Sequence, residues 1–162
     1  MNIFLSDPCP RACAVALDDK RVVKMALETA QLLSTACDYQ LNVKLGYKST
    51  HGNHPCSIWA RSGNQNYAWL VEHGIWLCDE YDYRFGRRHK SLQIIENSAQ
   101  YRHQFPDAPL AFTFNSSGQD SGVDVFTDYQ LCLVNKWKYL DVLKPRWTRR
   151  DKPAFFKKEK SK

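Results

Sequence analysis

Hydrophobic positions return at helical spacing along most of the chain. From about Pro10 onward the pattern is helical, and Val22, Val23, Ala26, Leu27, Ala30 and Leu33 recur every three or four residues as a core-facing stripe. Arg21, Lys24, Glu28, Gln31 and Thr35 fall on the opposite face. Ahead of this, "NIFLSDP" is a short apolar run closed by Asp7 and Pro8, which predicts an extended arm leading into a turn. After Cys37 the periodicity is lost across "DYQLNVKLGYKSTHGNHP", a loop of roughly eighteen residues, and connections of that length in a compact domain are usually functional or disordered. A short helix is expected over "HPCSIWARS", with Pro55 in its first turn. A long one follows over "NQNYAWLVEHGIWLCDEYDYRFG", with Trp69, Leu70, His73, Trp76, Leu77 and Glu80 in register and Gly86 at its end. "KSLQIIENSAQYR" predicts a further helix, residues 103 to 122 a second long loop, and "VDVFTDYQLCLVNKWKYLDVLK" a final helix. With no repeat and no β-meander pattern, the expectation is an all-α single compact domain of four to five helices with two long loops and a basic C-terminal tail.

At 162 residues such a domain buries about two thirds of the surface its unfolded chain exposes, and it needs no staples. The five Trp and eight Tyr offer stacking surfaces beyond what a minimal core requires. No window of about eighteen apolar residues exists, and "MNIFLSDPCP" lacks the basic and apolar regions of a signal peptide, so a soluble, cytoplasmic protein with no membrane partner is expected. The six cysteines include no C-x-x-C pair and read as reduced core thiols. Cys9 and Cys13 lack the further ligands a zinc site needs, and neither a metal nor a cofactor is expected.

Charge changes the picture at one end only. Residues 144 to 162 hold nine Lys or Arg and two acids, which leaves fourteen bases against fifteen acids in residues 1 to 143. The chain therefore divides into a helical domain, 1–143, and a basic aromatic tail, 144–162. Trp147, Phe155 and Phe156 lie between the tail's charges, a composition suited to a phosphate backbone and to base stacking, or to a solubilising end.

Three constellations carry candidate chemistry. Lys20, Lys24 and Glu28 share one helical stripe, with Glu28 at the border of the polar and apolar faces: either a solvated ion pair or a carboxylate beside an amine. His51, Asn53, His54, Trp59 and Arg61 run from a loop into a helix start, where free N–H groups favour an anion. Arg84, Arg87, Arg88 and Lys90 crowd a helix C-terminus, where cations are favoured by the dipole and can also contact phosphate; Arg21 is a further phosphate candidate.

"DDKRVVKMALETAQLL", with "GYKSTHGNHPCSIWARSGNQNYAWLVEHGIWLCDEYDYRFG", resembles the pyrimidine-dimer DNA glycosylase family of the endonuclease V type over roughly residues 1 to 90. In that family an Asp-polar-His-apolar run leads in step to a catalytic Glu; here Asp19, Lys20, Arg21, Val22 and Val23 lead to Glu28. The opening "MNIF", Gly46, Tyr47, Asn53, His54 and Pro55, and then Glu80, Arg84 and Gly86, also resemble segments of bacterial relatives. The resemblance implies duplex DNA carrying a damaged or modified base as partner, an amine nucleophile, and Glu28 as the carboxylate. The family's nucleophile is the α-amine exposed by removal of Met. Asn2 is a large second residue that hinders that removal, so the amine of Met1, or that of Lys24 or Lys20, takes the place. An α-amine, with a pKa of about 8 as a class, is partly neutral near pH 7 and can attack C1′ to form a Schiff base.

Two other function classes fit the same residues. One is a non-catalytic nucleotide or nucleic-acid binding protein, such as a phage accessory or counter-defence factor, in which His51, His54, Arg61 and Arg84 hold phosphates. The other is a small helical interaction protein with a solubilising tail.

Overall fold

The computed structural model describes residues 1–113 and 122–157. Among these all regular structure is helical: α1 (Pro10–Ala16), α2 (Asp19–Leu41), α3 (Pro55–Arg61), α4 (Asn64–Phe85), α5 (Leu92–Ser98), α6 (Val125–Asn135) and α7 (Ala154–Lys157). A 3-10 turn, Ala99–Gln104, extends α5, and one π turn, Lys136–Leu140, extends α6. The all-α single domain is as expected, but the described helices number seven rather than four or five. The stretch expected to be helical from Pro10 breaks at Leu17 and Asp18, and α7 forms inside the tail.

The long helices α2 and α4 pack against each other, α1 lies on α4, and α3 and α5 lie on α2. Their approach is close because Gly74 faces Thr29, where an added Cβ would come within 2.8 Å of the Thr29 methyl. Helix α4 ends as its sequence predicts: Gly86 takes a left-handed conformation (φ 65°) and its N–H returns to the Asp82 carbonyl at 2.7 Å. His73 is fully buried on α4 with its ring stacked on Trp69 at 5.0 Å, and burial pushes its pKa down to about 3. Five of the six cysteines are buried.

The polar face assigned to α2 needs correction. Val23 and Leu27, expected in the core, are 42% and 37% exposed, whereas Arg21, Glu28 and Thr35, expected on the polar face, are buried. A stripe calculated for one neighbour fails here because α2 is covered from several sides. The loop before α3 covers Thr35, whose Oγ1 donates to the Thr50 carbonyl (3.2 Å) and accepts from the Thr50 N–H (3.1 Å). The N-terminal arm, with Ile3, Phe4 and Leu5 buried, covers Glu28.

The final helix also ends earlier than expected. Asp124 caps α6 by accepting the Phe126 and Thr127 N–H groups, but helical structure stops at Leu140, because the Asp141 carboxylate is held by Arg21 and Lys20 of α2. Beyond it the chain folds back. The Arg146 carbonyl accepts the Asp19 N–H at 2.8 Å, and Trp147 Nε1 donates to the Ala16 carbonyl at 3.0 Å. Trp147, Phe155 and Phe156 pack on Trp137, at 5.0, 5.9 and 5.2 Å between ring centroids. Trp147 is buried, so its ring is committed to the fold and is not presented to a base. The last basic residues of the tail, 158–162, and residues 114–121 of the second long loop lie outside the described residues.

Arg84 is the residue on which α1, α2 and α4 converge. Its side chain has no exposure; it donates to Glu80 (2.7 Å), to Asp19 (3.0 Å), and to the carbonyls of Val15 and Leu17 (3.0 and 2.8 Å) that α1 leaves unsatisfied at its end. Arg150 donates two more hydrogen bonds to Glu80, at 2.9 and 2.8 Å. Burial opposes ionisation of Glu80, but the hydrogen bonds from Arg150 and Arg84 more than offset it and hold the carboxyl below its ordinary pKa. Arg84→Met leaves that carboxylate and two carbonyls short of partners and should cost about 3 to 5 kcal/mol in urea unfolding. Arg88→Met, which loses only a surface contact to Glu96 at 3.5 Å, should cost less than about 1 kcal/mol in the same measurement.

Candidate active site

One open pocket of about 660 Å³ lies where the N-terminal arm, α2, the start of α3 and the end of α6 meet. Met1, Asn2 and Phe4 come from the arm; Lys20, Arg21, Lys24, Met25 and Glu28 from α2; His54 and Pro55 from the α3 start; Lys136, Leu140 and Asp141 from the π turn and the residue after it. The chain ends of this pocket are far apart in sequence, so only the tertiary fold assembles it.

Glu28 sits at its centre. The Asn2 backbone N–H donates to Glu28 Oε2 at 3.1 Å, and Lys24 Nζ lies 3.3 Å from Oε1, one helical turn away. The carboxylate side chain is 11% exposed while that of Lys24 is 61% exposed, so one oxygen faces the arm and the other an exposed cation. The bond to Asn2 places the Met1 amine one residue from the carboxylate, and both Met1 and Glu28 line the pocket.

His54 caps α3, its Nδ1 accepting the Cys56 N–H at 3.1 Å, which fixes this nitrogen as an acceptor and leaves the proton of the neutral ring on Nε2. Partial burial, together with the positive charges of the N-terminal amine and His51, holds its pKa below the ordinary histidine value, and the Glu28 carboxylate acts in the opposite direction.

The remaining cations differ in exposure. Arg21 is nearly buried, with Nη1 2.9 Å from Asp18 and 2.8 Å from Asp141, and the Trp137 indole N–H also donates to Asp18 at 2.8 Å. Lys20 reaches Asp141 at 3.2 Å but is 64% exposed. Burial opposes ionisation of Asp141, yet the hydrogen bonds from Arg21 and Lys20 prevail and lower its pKa. With the Met1 amine, Lys20, Arg21, Lys24 and Lys136 set against Glu28 and Asp141, the pocket is electropositive, a setting that favours phosphates.

The predicted residues therefore separate. Glu28, Met1, Lys24, Lys20, Arg21 and His54 meet in the pocket; His51, Asn53, Trp59, Arg61, Arg84, Arg87, Arg88 and Lys90 do not line it. Two of these are corrected outright as phosphate ligands. Trp59 is buried with Nε1 donating to the Ala111 carbonyl at 2.5 Å, and Arg84 is consumed by the helix junction. Arg61 is turned onto its own loop, donating to the Gly52 carbonyl at 2.6 Å and lying over the Tyr39 ring. His51 and Asn53 are exposed on the loop beside His54. Arg87, Arg88 and Lys90 are exposed in the turn after α4, where the His89 ring accepts the Ser91 N–H at 3.1 Å.

Asn2, Lys136, Leu140 and Asp141 escaped the sequence reading. The only signal for the last three was an acid, Asp141, standing just before a basic run, and helical periodicity placed it inside a continuous helix.

No helix among the described residues is long and apolar enough to cross a membrane, and no group of three or more His, Cys, Asp or Glu among them could hold a metal ion. No curated protein and no solved structure matches the chain. A family model described as pyrimidine dimer DNA glycosylase matches residues 1–94, a segment that contains the arm, α1 to α4 and every pocket residue except Lys136, Leu140 and Asp141. With more than half of its 162 residues in that match, and Glu28 in a pocket shared with the N-terminus, the chain belongs to the pyrimidine dimer DNA glycosylase family.

Proposed function

We propose that the pocket is the active site of a DNA glycosylase with AP-lyase activity, acting on a damaged or modified pyrimidine in duplex DNA. The observation that carries this reading is the 3.1 Å hydrogen bond from Asn2 to Glu28, which brings to one cavity a terminal amine and a carboxylate that the arm, α1 and the first turns of α2 separate in sequence. The Met1 amine is the nucleophile, with Lys24 and Lys20 as the other amines in reach. Its lone pair attacks C1′; the N–C1′ bond forms as the glycosidic bond breaks, and the bonding pair leaves with the base, which takes up a proton. Transfer of the amine's proton and opening of the sugar ring give a protonated Schiff base. Loss of a C2′ proton then expels the 3′ phosphate by β-elimination, and water releases the amine.

Glu28 faces the positive charge that develops on the sugar and stabilises it, and it is placed to relay the protons of the later steps. Lys20, Arg21 and Lys136 surround it with the charge needed to hold backbone phosphates. His54, with its proton on Nε2, offers a neutral donor beside these groups.

Borohydride trapping on duplex DNA with a thymine dimer or an abasic site tests the reading. Wild type should give a covalent band whose peptide map ends at Met1, and Glu28→Gln should lower the yield by about two orders of magnitude or more while changing DNA affinity by less than about threefold. Failure of wild type to trap on any of these substrates, with binding retained, would move the protein to the non-catalytic nucleic-acid binders.

The pH behaviour of His54 is a second check. Its ring should titrate below free histidine in a two-dimensional NMR titration. Glu28→Gln, by removing the one nearby charge that favours the imidazolium, should move the midpoint lower still. An upward movement would mean that Glu28 and His54 do not share a field.

A further inference from the structure

From the π turn and the residues after it, we infer that residues 139–143 form an apolar wedge that enters the base stack of duplex DNA beside the Glu28 pocket. The inference rests on the glycosylase reading for the identity of its partner, but its evidence lies elsewhere in the fold. Tyr139, Leu140, Val142 and Leu143 are 75%, 62%, 98% and 79% exposed, an unbroken run of large apolar side chains in water interrupted only by Asp141. Scattered surface apolar residues are ordinary, whereas a cluster this dense at one tip marks a contact surface.

The tip is held out by construction. Asp141 is pinned from below by Arg21 (2.8 Å) and Lys20 (3.2 Å), and its N–H bonds the Lys136 carbonyl at 2.9 Å. Trp137 before it and Trp147 after it are buried against each other, so both bases of the projecting segment are anchored while its apolar residues point away from the core.

Two observations select nucleic acid as the occupant. The projection is continuous with the pocket: Lys136, Leu140 and Asp141 line the cavity that Glu28 lines. It is also flanked by cations, with Lys136 and Lys138 on one side and Lys144 and Arg146 on the other, while its single acid is already neutralised by Arg21 and Lys20. Apolar side chains framed by lysine and arginine suit a stack of bases framed by phosphates, and insertion of such wedges unstacks and kinks a duplex. A base step opened next to the pocket exposes C1′ to an amine that cannot reach it inside the helix. The wedge lies outside the residues 1–94 matched by the family, so it is a feature of this chain's second half.

The test uses full-length protein with Val142→Ser and Leu143→Ser combined, neither of which lines the pocket. The probe is a duplex carrying 2-aminopurine next to a thymine dimer. Wild type should raise the fluorescence as the stack opens. The double variant, with unchanged circular dichroism, should lose most of that rise and cut duplex excision about tenfold, while its trapping on a single-stranded abasic oligonucleotide stays within about twofold, because no stack needs opening there. No fluorescence rise with wild type, a full rise with the variant, or an equal loss on single strands would overturn the wedge. So would a wild-type dimer in sedimentation that the variant converts to monomer, since the apolar tip would then be a self-association surface. Unstacking by wild type that is lost in the variant, without trapping by either protein, would keep the wedge and reject the proposed chemistry.

Discussion

Everything in this fold hangs from the point where α1 stops and α2 begins. Leu17 and Asp18 interrupt a run that is otherwise helical in pattern, and the interruption leaves carbonyls at the end of α1 that a buried site cannot leave bare. Arg84 answers them from α4, and the same guanidinium holds Asp19 at the first turn of α2 and Glu80 on its own helix. Because Glu80 also receives Arg150, one buried carboxylate ties the chain's far end to its beginning. The break frees Asp18 as well. Its carboxylate does not cap α2 but accepts from Arg21 and Trp137, which fixes the wall of the pocket.

The ionic arrangement distinguishes the amines of the pocket. An ammonium has no lone pair, so an amine committed to an ion pair is the poorer attacker. Lys24 lies 3.3 Å from Glu28 and Lys20 3.2 Å from Asp141. The hydrogen bond to Glu28 from the N-terminal arm comes from the Asn2 amide. For the proposed reaction, geometry thus favours the terminus over either ion-paired lysine.

Much of this was legible along the chain. Pro55, Gly86 and the Trp69, Leu70, His73, Leu77 register placed α3 and α4 almost to the residue, because caps and a buried stripe are local signals. Glu28 was singled out through family resemblance, while its burial on the face expected to be polar shows the limit of periodicity: a helix contacted by an arm, a loop and three helices has no single apolar side. Arg84 shows the same limit in reverse. A cation at a helix end reads as an exposed phosphate ligand until the carbonyls of α1, nearly seventy residues away, are brought to it. Asp141 carried only the weak mark of an acid before a basic run, since its ion pair depends on Arg21 meeting it from 120 residues away.

The two cations that share Asp141 are chemically alike in sequence and unlike in place. Arg21 is buried between two carboxylates, and moving it would leave Asp18 with only the Trp137 indole and Asp141 with only Lys20, at a cost of several kcal/mol. Lys20 is largely in water, where exchanging a carboxylate for a phosphate costs little. On the proposed reading, a phosphate at the pocket would draw Lys20 away and leave Arg21 holding Asp141. A single aspartate holds one fixed and one exposed cation because its two oxygens serve different partners, Oδ1 taking Lys20 and Oδ2 Arg21.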